Sequence, residues 1–149
     1  MLGRTRRSTW SSARTDPCAD ERFFTFQYRL EVVRLRHKPA GGASSVLATS
    51  VELADSIVSQ ARGLMFRRSF SDDSALVFRF DGASTRDVHM LFVFFPIDAV
   101  WVVDGEVQRV ERLRPWLGLA RAEADMLVEL PAGTANDIEP GDRLFIEES

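Results

Sequence analysis

Residues 97 to 113 read IDAVWVVDGEVQRVERL, and this stretch decides the fold. Ile97 to Val103 is apolar and largely β-branched or aromatic, the residue types that fit a pleated strand. Asp104-Gly105 then supplies a two-residue hairpin turn, whose central positions need positive φ. Glu106 to Leu113 returns as the partner strand. An antiparallel hairpin is expected at the heart of the molecule.

Working outward, the apolar run extends upstream as VHMLFVFFPIDAVWVV, residues 88 to 103. It contains His89, Pro96 and Asp98, and it is too short and too polar to span a bilayer. A hairpin buried on both faces explains it. Arg86 to Phe95 reads as a strand ended by Pro96, and Ala75 to Phe80 as another, with a turn at Asp81-Gly82. Downstream, Met126 to Leu130 is a strand closed by Pro131-Ala132-Gly133. Pro140-Gly141-Asp142 is a turn before a last strand, Arg143 to Glu147. Near the front, residues 29 to 36 and 45 to 53 read as strands around a turn at Lys38 to Gly42.

Asp55 or Ser56 is suited to cap one short α-helix over about residues 56–66. Ile57, Ala61, Leu64 and Met65 would form its apolar face. Gly63 weakens that helix, so a close approach to another backbone is expected there. Long crossover helices between strands are absent. The expected fold is mainly β: a compact antiparallel β-sandwich or partly closed barrel with that one helix.

The chain has 149 residues, 45% hydrophobic and 28% charged, which suits one globular domain. Its one cysteine excludes an intrachain disulfide and a cysteine-based zinc site. No metal or cofactor is expected. The formal charge of −3 is unevenly spread. Residues 1 to 38 hold nine basic and four acidic side chains, while residues 39 to 149 hold ten basic and eighteen acidic ones. Eighteen of the nineteen basic residues are arginine, and Lys38 is the sole lysine. Residues 1–28 are expected to be a disordered basic arm, or sequence upstream of the natural start, and residues 29–149 a single β-rich domain. An acidic body argues against nucleic acid as a partner. Arg4, Arg6 and Arg7 of the arm are the only alternative contact for an anionic surface.

Few residues suggest chemistry. Asp98 lies between Ile97 and Ala99 in an apolar strand, where a carboxylate must be paired, hydrogen-bonded or protonated. It reads either as a site carboxylate or as an anchor, with Arg62 or Arg86 as partner. His89 with Asp87 or Asp98 is the one plausible acid–base pair. Arg62, Arg67 and Arg68 lie at the end of the expected helix, where they suit its dipole or bind an anion. Trp116, in a loop, is placed to stack on a ligand. Cys18 is far in sequence from either histidine.

Several motifs occur in order: Gly63-Leu64-Met65-Phe66-Arg67, Ala75 to Phe80, Pro96-Ile97-Asp98, Asp104-Gly105, Glu129-Leu130-Pro131-Ala132-Gly133 and Gly141-Asp142. Together, over about residues 46 to 147, they resemble the uncharacterised family called domain of unknown function 192. The resemblance implies a compact, mostly β fold and no established activity. Its structural motif residues are Gly63, Leu64, Met65, Pro96, Asp98, Gly133, Gly141 and Asp142. The family's usual F-W-M-K/R-N-T segment departs here to Val88-His89-Met90-Leu91-Phe92-Val93. His89 takes the tryptophan position, and Leu91, Phe92 and Val93 take the polar ones. This variant, with the lysine-poor acidic body, looks like the haloarchaeal branch of the family.

The expected function is that of a small soluble, cytoplasmic, non-enzymatic β domain that binds a small molecule or a protein. The alternative is a small hydrolase-like enzyme using Asp98 with His89 or an arginine.

Overall fold

The computed structural model describes residues 33–54 and 63–148. The expected arm and most of the expected helix lie outside these residues.

The chain forms β1 (Val33–Lys38), β2 (Ser45–Ala48), β3 (Ser50–Leu53), β4 (Ser74–His89), β5 (Ile97–Val103), β6 (Glu106–Leu113), β7 (Leu119–Pro131) and β8 (Arg143–Glu148). All eight join one sheet in the order β2-β1-β8-β6-β5-β7-β4-β3. Only β3 and β4 run parallel. The fold is therefore mainly β, as expected, but it is one open mixed sheet rather than an antiparallel sandwich or a barrel. Its edge strands, β2 and β3, are separated in sequence by Thr49 alone. Asp73 holds Thr49 by its backbone N–H and its hydroxyl. No ladder joins β2 to β3 among the described residues, so the sheet does not close into a barrel.

The hairpin at Asp104-Gly105 forms with φ of 50° and 78°, the left-handed values that this turn needs. Trp101 pairs with Arg109 and Val102 with Val107, which leaves Gln108 as a one-residue bulge. The expected turn at Asp81-Gly82 is instead an irregularity inside β4, between Arg79 and Ser84.

Two apolar cores lie on opposite faces of the central strands. Leu76, Phe78, Ile97, Ala99, Trp101 and Leu127 face one core, with Leu64, Met90 and Val93 packed over them. Val77, Val100, Val102, Val128, Leu130 and Leu144 face the other, with Ala135 and Ile138. Burial on both sides explains why these strands read as continuous apolar runs instead of alternating.

Two expectations fail locally. Gly63 to Phe66, the described end of the expected helix, is a turn and not helix. Gly63 and Phe66 have φ of 47° and 64°, which a right-handed helix excludes, and the Phe66 N–H donates to the Phe92 carbonyl. No described residue is helical. The strand expected to run to Phe95 ends at His89. Beyond it, Met90 N–H donates to the Gly118 carbonyl and Phe92 turns to a φ of 59°.

Candidate functional site

A cleft of about 340 Å³ opens on the first core face. The turn at Gly63-Leu64-Met65, the strand β4 and the segment after it, and the facing residues Ile97, Leu127 and Glu129 of β5 and β7 line it. Phe78, Val88, Met90, Val93, Ile97 and Leu127 form an apolar wall of it. Thr85, Arg86, Asp87 and His89 add polar groups along β4.

Glu129 is the one acidic side chain in the cleft's buried part. It is only 8% exposed. No described residue hydrogen-bonds to its carboxyl, whose oxygens keep a small contact with solvent. Strand register explains its isolation: Glu129 stands opposite Leu76 of β4 and Ala99 of β5, neither of which can donate a side-chain proton. Burial pushes its carboxyl up to about 7, while the Arg67 guanidinium pulls in the opposite direction. Gly63 lies beside it. A Cβ there would sit 3.9 Å from Glu129 Oε2 and 3.6 Å from Phe78 Cζ, so the close neighbours of Gly63 are side chains and not the expected backbone.

Arg67 and Arg86, the described arginines at the cleft, are engaged. Arg67 grips Glu52 with both terminal nitrogens, at 2.7 and 2.9 Å. This contact raises the Arg67 guanidinium and lowers the Glu52 carboxyl. Arg86 lies over the Phe80 ring at 3.8 Å and donates to the carbonyls of Gly82 and Ala124. Asp87 pairs with Arg121 at 3.0 Å. His89 is exposed at the end of β4.

Asp98 leaves β5 on the other face. It is 2% exposed, and Arg112 Nε donates to it at 2.8 Å across the β5–β6 ladder. The backbone N–H groups of Gly133 and Ala135 add bonds of 2.8 and 3.0 Å. Its partner among the described residues is thus Arg112, in place of the expected Arg62 or Arg86. Burial pushes the Asp98 carboxyl up, but Arg112 and the two amides outweigh it and hold the group below its ordinary value. Gly133, at a φ of 102°, shapes the loop that aims these amides. The structure does not bring Asp98 and His89 together: His89 lines the cleft and Asp98 does not.

Asp142 does more than the expected turn chemistry. It accepts from His37 Nε2 at 2.8 Å and from the backbone N–H groups of Glu139 and Ala40. The His37 contact, first among these, holds its carboxyl below the ordinary value. Gly141, at a φ of 96°, makes the preceding turn.

Trp116 is 45% exposed and sits edge-on to Phe92 and Phe94, each at 5.3 Å. Phe66 stacks on Phe92 at 4.8 Å. Phe66, Phe92 and Trp116 all hold positive φ, an uncommon state for bulky residues. Leu91, Leu117 and Leu119 are exposed on the same stretches of chain, and Phe66, Leu91 and Phe92 adjoin in sequence the cleft residues Met65, Met90 and Val93. Pro96 is exposed just before β5. Arg62 lies outside the described residues, as does Cys18.

Sequence reasoning missed Glu129, Arg112 and His37 as site or anchor residues. The criterion that singles out Asp98, a carboxylate inside an apolar strand, applies equally to Glu129 in Met126 to Pro131.

Comparison with known proteins fits this geometry. The family pattern of domain of unknown function 192, described as an uncharacterized ACR, matches residues 38–146. The chain belongs to this family. No match to it was found among curated proteins. A crystal structure from Sinorhizobium meliloti 1021, described as a candidate transcription regulator, shares 27% identity at a TM-score of 0.68. The likeness covers 78% of this chain and 92% of that one. A protein of unknown function from Novosphingobium aromaticivorans shares 24% identity and a TM-score of 0.66 over 75% of this chain and 83% of that one, a likeness of fold alone. Among the described residues no His, Cys, Asp or Glu cluster is set to hold a metal, and no helix is long and apolar enough to cross a membrane.

Proposed function

We propose that this chain is a small-molecule-binding β domain and that its site is the cleft between the Gly63–Met65 turn, β4 and β7. The carboxyl of Glu129, only 8% exposed and without a hydrogen-bond partner among the described residues, carries this reading. A stranded polar group costs stability unless something satisfies it, and ligand sites are apolar hollows with a few such groups. The cleft's volume lies near the lower end of the ~300–1,000 Å³ of small-molecule sites, which favours a compact ligand. The hydrolase alternative is weaker, because Asp98 is committed to Arg112 and two amides away from the cleft. The acidic body of residues 39 to 149 disfavours nucleic acid. Its lysine-poor composition also supports placement in the haloarchaeal branch and in a salt-rich cytoplasm.

Methyl NMR with labelled Leu64, Met65, Met90, Ile97 and Leu127 tests the site. Benzyl alcohol and indole should shift these methyls selectively. Shifts confined to other parts of the protein, or no shifts, would overturn the proposal.

A further inference from the structure

We infer that the cleft selects a ligand carrying an ammonium group on a compact apolar body, with Glu129 as the counter-ion. This inference rests on the small-molecule reading above and adds the ligand's chemical class.

Phe78, Val88, Met90, Val93, Ile97 and Leu127 give the cleft an apolar wall, which suits an apolar body, and polar groups line the rest. Glu129 is the buried polar group there without a hydrogen-bond partner among the described residues. Among the described residues, an anionic ligand would meet a carboxyl with no free cation beside it. Arg67 is held at both terminal nitrogens by Glu52, and Arg86 by the Phe80 ring and two carbonyls. A purely apolar ligand would leave the carboxyl stranded and take away its remaining contact with water. An ammonium group supplies both hydrogen bonds and the opposite charge, and such charge-assisted bonds are strongest where water is excluded.

Proton linkage follows from the same arrangement. The Glu129 carboxyl is pushed up to about 7, so near neutrality part of the population carries a proton there. An ammonium ligand must displace that proton. Binding therefore strengthens as pH rises through 7 and releases a proton below it. Among the described residues, the other charged or titratable groups that line the cleft or act on Glu129 are Arg67 from the loop after the turn, and Arg86, Asp87 and His89 from β4.

Benzylammonium and benzyl alcohol are near-isosteric probes for this test. On the wild-type chain at pH 8, benzylammonium should bind at least about tenfold more tightly, the scale of one desolvated charge pair. Calorimetry in two buffers of different ionisation enthalpy should record proton release at pH 6 and almost none at pH 8.5. In Glu129→Gln the preference should fall to within about threefold and the pH step should vanish. Equal binding of the two probes with shifts at the cleft methyls would overturn the ammonium inference and leave the small-molecule site standing. A pH step that persists in Glu129→Gln would equally overturn the inference. Failure of both probes to reach the cleft would overturn both readings. The wild-type probe comparison and proton release keep the test decisive even if the variant folds poorly.

Discussion

Gly63 stands beside the Glu129 carboxyl, with room for a Cβ at 3.9 Å from Oε2. Space is therefore not what demands glycine at this position. The φ of 47° is, because an L side chain in the left-handed region costs roughly 1–2 kcal/mol. Gly63→Ala should lose about that much stability in urea denaturation while the cleft methyls keep their probe response. Loss of the response with unchanged stability would show that the cleft needs the open space itself.

Glu129 should make the protein less stable as the solution becomes more basic. Its carboxyl is raised from 4.5 to about 7 in the folded state. Between those values the folded chain binds more protons than the unfolded one, so stability falls as pH rises. The full effect is roughly 3 kcal/mol, at ~1.4 kcal/mol for each pH unit between the two values. Glu129→Gln should remove this slope and be more stable than wild type at pH 8. Urea midpoints of both chains from pH 4 to pH 8.5 check it, and parallel curves would contradict it.

Asp98 should act in the opposite sense. Its folded value is depressed, so its contribution is present above the ordinary aspartate range. The contribution is lost as pH falls through the depressed value, below about pH 4. Asp98→Ala leaves the amides of Gly133 and Ala135 without their acceptor, and it should cost roughly 2–4 kcal/mol at pH 7. Wild type and variant should converge in stability as the pH drops toward 2. A neutral substitution at pH 7 would remove Asp98 as an anchor.

Asp142 ties β1 to the turn before β8 through His37 and two backbone amides. Asp142→Ala leaves a buried histidine and those amides without their acceptor, at a cost of about 2–4 kcal/mol. Hydrogen exchange should show β1 and β8 opening first in the variant. Protection lost evenly across the sheet would contradict this local role.

Much of the fold is legible where local chemistry decides it. Asp104-Gly105 specifies its turn from two residues, and the apolar run around it reports burial on both faces. The errors fall where distant contacts decide. Nothing local announces that Phe92 and Phe66 adopt left-handed backbone, or that Met90 bonds to Gly118 instead of continuing β4. A nine-residue strand split at Thr49 into opposite edges of one sheet depends on Asp73, 24 positions away. The site follows the same rule. Asp98 and Glu129 look alike in sequence, each a carboxylate in an apolar strand. Register separates them: Arg112 faces Asp98, whereas Leu76 and Ala99 face Glu129. One acid is thereby an anchor, and the other has no donor facing it across the sheet.

The most direct measurement is the titration of the Glu129 side-chain carboxyl by carbon-detected NMR, with and without benzylammonium. A midpoint near 7 that moves down when the probe is added is the predicted result. A midpoint in the ordinary glutamate range of about 4.3, unmoved by the probe, would contradict a ligand-binding role for this carboxyl.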